Sequence, residues 1–225
     1  MNQLHRYVSP CLLNAIRNTY SDLPYHNFNH ALSVTNRAMR NSHFKLLPSL
    51  WQHALVLAAL MHDADHQGSL AEGDDWVNIN RALTIAKRIL HQFKAEFGTS
   101  YPFLIQAVPC LIEATNSNAD YQPRFLLKTD AQRRALNIIR DADVGQTLMG
   151  TSIWRDALSQ ELGRPVTLES TLEWVGTCTF YTPSGKRQVE SFKSMVKDYL
   201  NGHGTRPVKL TNTERRLHPN EVWVV

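Results

Sequence analysis

His62-Asp63, inside Leu60-Met61-His62-Asp63-Ala64-Asp65-His66-Gln67-Gly68, sets an imidazole beside a carboxylate at the end of an apolar helix. Such a pair is costly to bury unless a cation lies near it. Two other segments carry compatible donors, Tyr25-His26-Asn27-Phe28-Asn29-His30 upstream and Asp141-Ala142-Asp143 far downstream. Together they offer His30, His62, Asp63 and one further Asp. This mixed nitrogen and oxygen set suits Mn, Fe, Zn or Mg and not a thiolate-bound structural zinc. An Asp at a helix C-terminus is opposed by the helix dipole, and a bound cation removes that objection. Its carboxylate can also bridge two ions, which lie about 3.5–4 Å apart in two-metal hydrolases. Asp141 and Asp143 compete for the last ligand position. Two apart on a helix, they diverge by about 200° and cannot both face one ion.

These residues resemble the HD superfamily of metal-dependent phosphohydrolases. Tyr25-His26-Asn27-x-x-His30-Ala31, followed by His62-Asp63-x-x-His66-x-Gly68, is similar in particular to the signature of class I cyclic nucleotide phosphodiesterases. Asp141-Ala142-Asp143 and the order of helices also resemble small bacterial predicted HD phosphohydrolases. The resemblance implies an all-α HD-domain helical bundle. It implies a metal held by His30, His62, Asp63 and Asp143, because the family places its ligand at the Asp preceded by Ala. Asp141 is then a helix-end or supporting residue. Catalytic work falls to Asp63, to His26 as the general acid that protonates the leaving oxygen, and to His66 as a supporting or substrate contact. Imidazole is the side chain whose ordinary titration suits such proton transfer near neutrality.

Tyr25, Asn27 and Glu113 are expected at the substrate, with Asn27 orienting His26 and Glu113 holding a metal-bound water. Asn80 and Arg81 are further candidates, and Arg124, Lys128, Arg140, Arg155 and Arg164 could contact phosphate. Between His62-Asp63 and the last Asp the only histidines are His66 and His91. Asn116-Ser117-Asn118 stands where HD proteins with a fully ligated second iron often carry a histidine pair. This argues against an oxygenase-type di-iron site. It favours one tight divalent metal (Mn, Mg, Fe or Zn) and at most a second, water-rich ion such as Mg. The implied activity is cleavage of a phosphodiester bond of a cyclic nucleotide or cyclic oligonucleotide by a metal-activated water. The alternatives are a nucleotide or deoxynucleotide phosphohydrolase and a non-catalytic nucleotide-binding HD protein. Gln188 and Phe192 have a tempting spacing for nucleobase recognition, but the chain is shorter than the phosphodiesterase catalytic domains, so that function is not inherited.

The 225 residues suffice for one well-cored domain, placed at 1–200, with 201–225 as an irregular tail that could dock on it. Hydrophobic content of 43% with 20% charged residues excludes a disordered chain. A net charge of +4 suits an anionic substrate and is too mild for stable nucleic-acid binding; that the substrate is a small-molecule phosphate ester such as a nucleotide is what the resemblance implies. Cys11, Cys110 and Cys178 are odd in number, far apart and without a C-x-x-C pair, which fits a reducing compartment. The N-terminus lacks the apolar core of a signal peptide, and the longest apolar run, Ala54 to Met61, is far short of a membrane span. A cytoplasmic protein is expected.

Helical periodicity must position the donors. Leu12, Leu13, Ile16 and Tyr20 mark a first helix, which Ser21-Asp22-Leu23-Pro24 ends. A second runs from about Asn29 to Arg40. A third begins near Pro48, with Leu50, Ala54, Leu57, Ala58 and Met61 as an apolar stripe leading into His62-Asp63. After a polar loop, 68–75, one long helix is expected over 76–97. The next starts near Pro102 and reaches about Thr115, followed by a loop over 116–123. Thr129 should cap a helix through Asp143. Segments 151–162, 168–182 and 185–200 are further helices. Residues 221–225 could form a docked strand.

Overall fold

The computed structural model describes residues 3–68, 75–116, 129–148 and 153–201. Among them the chain is helical and no strand occurs. After a short turn at Gln3–Arg6 come α1 (Pro10–Arg17), α2 (Phe28–Arg40), α3 (Ser49–Met61), α4 (Asp75–Gln92) and α5 (Lys94–Phe97). They are followed by α6 (Tyr101–Glu113), α7 (Asp130–Val144), α8 (Ile153–Leu162), α9 (Leu168–Thr177) and α10 (Pro183–Leu200). The all-α expectation holds. The proposed tail strand and most of the 116–123 loop lie outside the described residues.

α3 is the centre of the fold. Every residue from Ala54 to Met61 is fully buried, and α2, α4, α6 and α7 pack around it. A helix covered on all sides needs no polar face, which is why its apolar run is continuous rather than one-sided. The expected stripe is therefore corrected at its start, because Leu50 is 40% exposed. Each buried leucine of α3, such as Leu55, Leu57 or Leu60, contributes about 1.5–3 kcal/mol. This rigid rod ends at His62.

Two boundaries differ from the sequence reading. The single helix expected over 76–97 breaks at Phe93, where ψ is 18°, and resumes as α5. The break turns Phe97 inward against the ring of His53, 5.8 Å away. α9 stops at Thr177, because Cys178 is extended and the chain runs out to Thr182, the cap of α10. Trp51 meets Phe103 edge to face at 5.0 Å.

A smaller apolar cluster joins α9 and α10 through Leu168, Val175, Phe180, Val189, Phe192 and Val196. Asp141 of α7 ties this layer to the bundle. Its Oδ1 accepts from the Tyr181 amide at 2.9 Å, and its Oδ2 accepts from the Thr182 amide at 2.7 Å and hydroxyl at 2.6 Å. The Thr182 oxygen in turn accepts from Gly185 N–H (3.0 Å) and Asn41 Nδ2 (3.1 Å). A Cβ on Gly185 would overlap the Asp141 carboxylate, so glycine is required for this approach. Burial pushes the Asp141 carboxyl upward, against the pull of its donors. Asp141→Ala strands these donors and should cost about 1–3 kcal/mol, read as a lower denaturation midpoint, while leaving metal content unchanged. An unchanged midpoint would contradict the anchoring role.

Candidate metal centre

α2 begins where Asn27 makes it begin. The Asn27 Oδ1 accepts from the amides of Asn29 (2.8 Å) and His30 (3.2 Å), as an N-cap does. Its Nδ2 donates to the carbonyls of Leu23 (2.8 Å) and Pro24 (3.1 Å). Both ends of this amide go to backbone, so the expected substrate contact gives way to a capping role. The cap fixes His30 in the first turn of α2.

His30, His62, Asp63 and Asp143 converge from the start of α2, the end of α3 and the end of α7. His30 Nε2 and His62 Nε2 lie 3.2 Å apart. Asp63 Oδ2 is 3.2 Å from each nitrogen. Asp143 Oδ1 is 3.3 Å from His30 and 3.4 Å from His62. Donors held about 2.0–2.2 Å from one ion stand roughly 3 to 3.5 Å from one another. Although close to both nitrogens, Asp63 Oδ2 is buried and makes no hydrogen bond, so its lone pairs have no protein partner. His62 Nδ1 pairs with the Ala59 carbonyl at 3.0 Å, which leaves Nε2 as the free donor. The residues fit a divalent cation with nitrogen and oxygen ligands.

The electrostatics point the same way. Burial works against charge on His62, but the carboxylates of Asp63 and Asp143 overcome it and hold the imidazole well above its ordinary value of 6.5. His30 is likewise buried yet raised, by Asp143 and Asp63. Burial opposes the charges of Asp63 and Asp143, and the imidazoles, His62 first, pull Asp63 well down and Asp143 to about 2. Protons on the imidazoles do what a cation would do, so protons and metal compete for the site.

Beside this set lie His26, His66 and Glu161. His26 and His66 stack with centroids 3.9 Å apart and planes at 15°. Glu161 Oε1 is 2.5 Å from His26 Nδ1, and Oε2 accepts from the amides of Tyr25 and His26 at 3.0 Å. The Glu161 side chain is only 2% exposed. Burial resists its charge, but His26 and the two amides hold its carboxyl down to about 2. Burial and then the neighbouring His26 charge lower His66 to about 4, leaving it neutral near pH 7. Gly68 N–H donates to His66 Nδ1 at 3.0 Å, which places the ring proton on Nε2. Tyr25 packs its ring against both His26 (4.7 Å) and His30 (4.8 Å).

Other expectations disperse. Glu113 closes α6 and belongs to neither convergent group of donors. Asn80 is exposed, and Asn78 holds the loop instead: Oδ1 accepts from Gln67 N–H at 3.1 Å and Nδ2 donates to the Gly68 carbonyl at 3.3 Å. Arg81 pairs with Asp65 at 2.8 Å. Asp65 itself sits at φ 61°, a conformation that Asp tolerates. Arg140 lies over the Tyr181 ring at 4.8 Å, Arg155 is buried and Arg164 is exposed. Arg124 and Lys128 lie outside the described residues. Phe192 is buried in the small cluster, and Gln188 accepts from Arg37.

Residues 25–70 match the family model of 3'5'-cyclic nucleotide phosphodiesterase, a stretch that holds His26, His30, His62, Asp63 and His66. A structure of LmjPDEB1 in complex with IBMX is similar with a TM-score of 0.58 and 19% identity, over 83% of this chain and 78% of that one. The phosphodiesterase domain of the Salpingoeca rosetta rhodopsin phosphodiesterase is similar with a TM-score of 0.62 and 15% identity, over 94% and 82%. The chain has the fold of a cyclic nucleotide phosphodiesterase domain. The resemblance read from the sequence is borne out, and the family match indicates an enzyme of the phosphodiesterase type. Comparison with curated proteins gives no match. No helix among the described residues is long and apolar enough to cross a membrane.

The coupled charges set a pH dependence. In protein stripped of metal, the raised His30 and His62 stabilise fully below their ordinary 6.5 and lose that contribution as pH rises through their folded values. The lowered Asp63 and Asp143 stabilise above the ordinary 3.8 and lose it as pH falls through their folded values. Metal-stripped protein should therefore weaken toward alkaline pH. Added Mn or Zn should raise Tm more at about pH 8.5 than at about pH 6, by thermal denaturation. A larger metal-induced shift at the lower pH would contradict the assignment.

Proposed function

We propose that the chain hydrolyses a phosphodiester bond of a cyclic nucleotide or cyclic oligonucleotide, with residues 1–200 as the hydrolase domain, acting in the cytoplasm on a small soluble substrate. His30, His62, Asp63 and Asp143 would hold one divalent ion, with at most a second, water-rich ion beside it. Mn, Mg, Fe and Zn all suit these donors. Such an ion supplies Lewis acidity and lowers the pKa of water.

The observation that carries the reading is His26 held by Glu161 beside the donor set, its ring 5.8 Å from that of His30. Because Nδ1 is committed to Glu161, Nε2 is the nitrogen left to give a proton to the leaving oxygen. Glu161 fixes the orientation of that ring. The neutral His66, stacked on it, adds no repelling charge. Tyr25 fills the space between the acid and the ligand His30, keeping both rings in place. Asn27 contributes by starting α2 at the right residue. Glu113 has no part in this scheme.

The substrate is tested by incubating metal-loaded protein with cyclic mononucleotides, cyclic dinucleotides and nucleoside triphosphates and separating the products. Conversion of a cyclic species to its linear phosphate is expected. Consumption of a triphosphate alone would move the protein to the nucleotidase reading, and no turnover would favour a binding role. With the substrate in hand, His26→Ala should lower kcat by about 10²–10⁴ while metal content stays at the native level. Glu161→Gln should lower it by roughly 10–100-fold. Full activity in His26→Ala would refute the acid role.

A further inference from the structure

A cavity of about 160 Å³ lies where the ends of α2 and α7 meet the start of α10, lined by Arg37, Arg40, Asn41, Asp141, Ser184 and Gln188. We propose that this cavity binds a small tetrahedral oxyanion of the inorganic phosphate type, at a site separate from the metal centre. The inference does not rest on the phosphodiester reading.

Arg37 is the main reason. Its Nε donates to the Ala142 carbonyl at 3.2 Å and its Nη2 to Gln188 Oε1 at 2.8 Å. Both acceptors are neutral. Among the described residues these two bonds are the hydrogen bonds of the guanidinium, and neither goes to a carboxylate. The residue is half-buried, which lowers the group to about 10, and the one carboxylate on the cavity wall, Asp141, forms no ion pair with it. The guanidinium passes directly over Gly145, where an added Cβ would overlap Arg37 Nη2.

Arg40 stands one turn further along α2 and is exposed, with no ion pair among the described residues. The Ser184 hydroxyl, in the first turn of α10, likewise has no protein partner among them. Asp141 opposes an anion, but its oxygens are taken by Tyr181 and Thr182. Two guanidinium groups against one carboxylate leave a positive balance, to which the start of α10 adds the positive end of its dipole. A planar guanidinium with unused N–H groups suits an oxyanion.

Size selects the ligand. Pockets for drug-sized ligands hold roughly 300–1,000 Å³, so this one admits a bare oxyanion and not a nucleoside. Arg37 is seven residues beyond His30 on α2, roughly 10 Å along the axis, which keeps the two sites apart. An anion here would brace the α2 to α7 junction next to Asp143.

Inorganic phosphate titrated calorimetrically into metal-loaded protein, at constant ionic strength, tests this. Native protein and Asp143→Asn should both bind one phosphate at this site. Arg40→Ser and Ser184→Asp, both at solvent-reached positions and checked for native circular dichroism, should each weaken it by about tenfold or more. The proposal is overturned if no such binding occurs or if both variants bind as the native protein does. It is also overturned if binding vanishes with Asp143→Asn alone, which would place the phosphate at the metal centre. Adenosine monophosphate competing there as tightly as phosphate would overturn the size argument.

Discussion

Two buried imidazoles and two carboxylates, with donor atoms 3.2–3.4 Å apart, form an arrangement that a protein can hold only around positive charge. Much of the bundle serves to bring them together. α3 is covered on every side, so its end is as rigid as the core, and His62 and Asp63 follow directly from it. α2 starts where Asn27 caps it, which sets His30 against that end. α7 arrives from the other side with Asp143. The three helices share one core, so the ligand distances and the packing of α3 are parts of the same constraint.

A second layer keeps the first in place. The loop after Asp63 reverses through Asp65, whose amide donates to the Thr19 carbonyl at 2.9 Å and whose carbonyl accepts from Arg81 at 3.0 Å. Asn78 then pins Gln67 and Gly68, and Gly68 fixes the tautomer of His66. On the other side Glu161 reaches from α8 to the Tyr25-His26 backbone and to the His26 ring. Asp141, on the same helix as Asp143, faces away and anchors α10. The two acids thus divide the labour that their spacing separates: one faces the donors, the other holds the layer that closes the bundle.

The sequence made the central elements legible because their signals are local. A continuous apolar run ending in His-Asp gives both α3 and the donor pair, and Thr129 and Pro48 mark helix starts that the structure keeps. The 200° divergence of Asp141 and Asp143 on one helix requires that only one join the donors. Residues that act through distant contacts were not legible. Glu161 lies 135 residues from His26, and nothing in its own neighbourhood of α8 distinguishes it from a solvated acid. Asn78 is not distinguishable from Asn80 in the sequence, because the length of the loop before α4 hides the register. The break at Phe93 and the end of α9 at Thr177 follow from tertiary packing and from the cap at Thr182, which helical periodicity does not contain.

The central claim is one metal site built from these four residues. X-ray absorption spectroscopy on the metal-loaded protein measures it most directly. The account predicts a first shell of two imidazole nitrogens plus carboxylate and water oxygens, with ligand distances of about 2.0–2.2 Å and no sulfur. The same spectrum should change on Asp63→Asn and stay unchanged on Glu161→Gln. A sulfur ligand, or a first shell altered by Glu161→Gln but not by Asp63→Asn, would place the metal elsewhere and contradict the account.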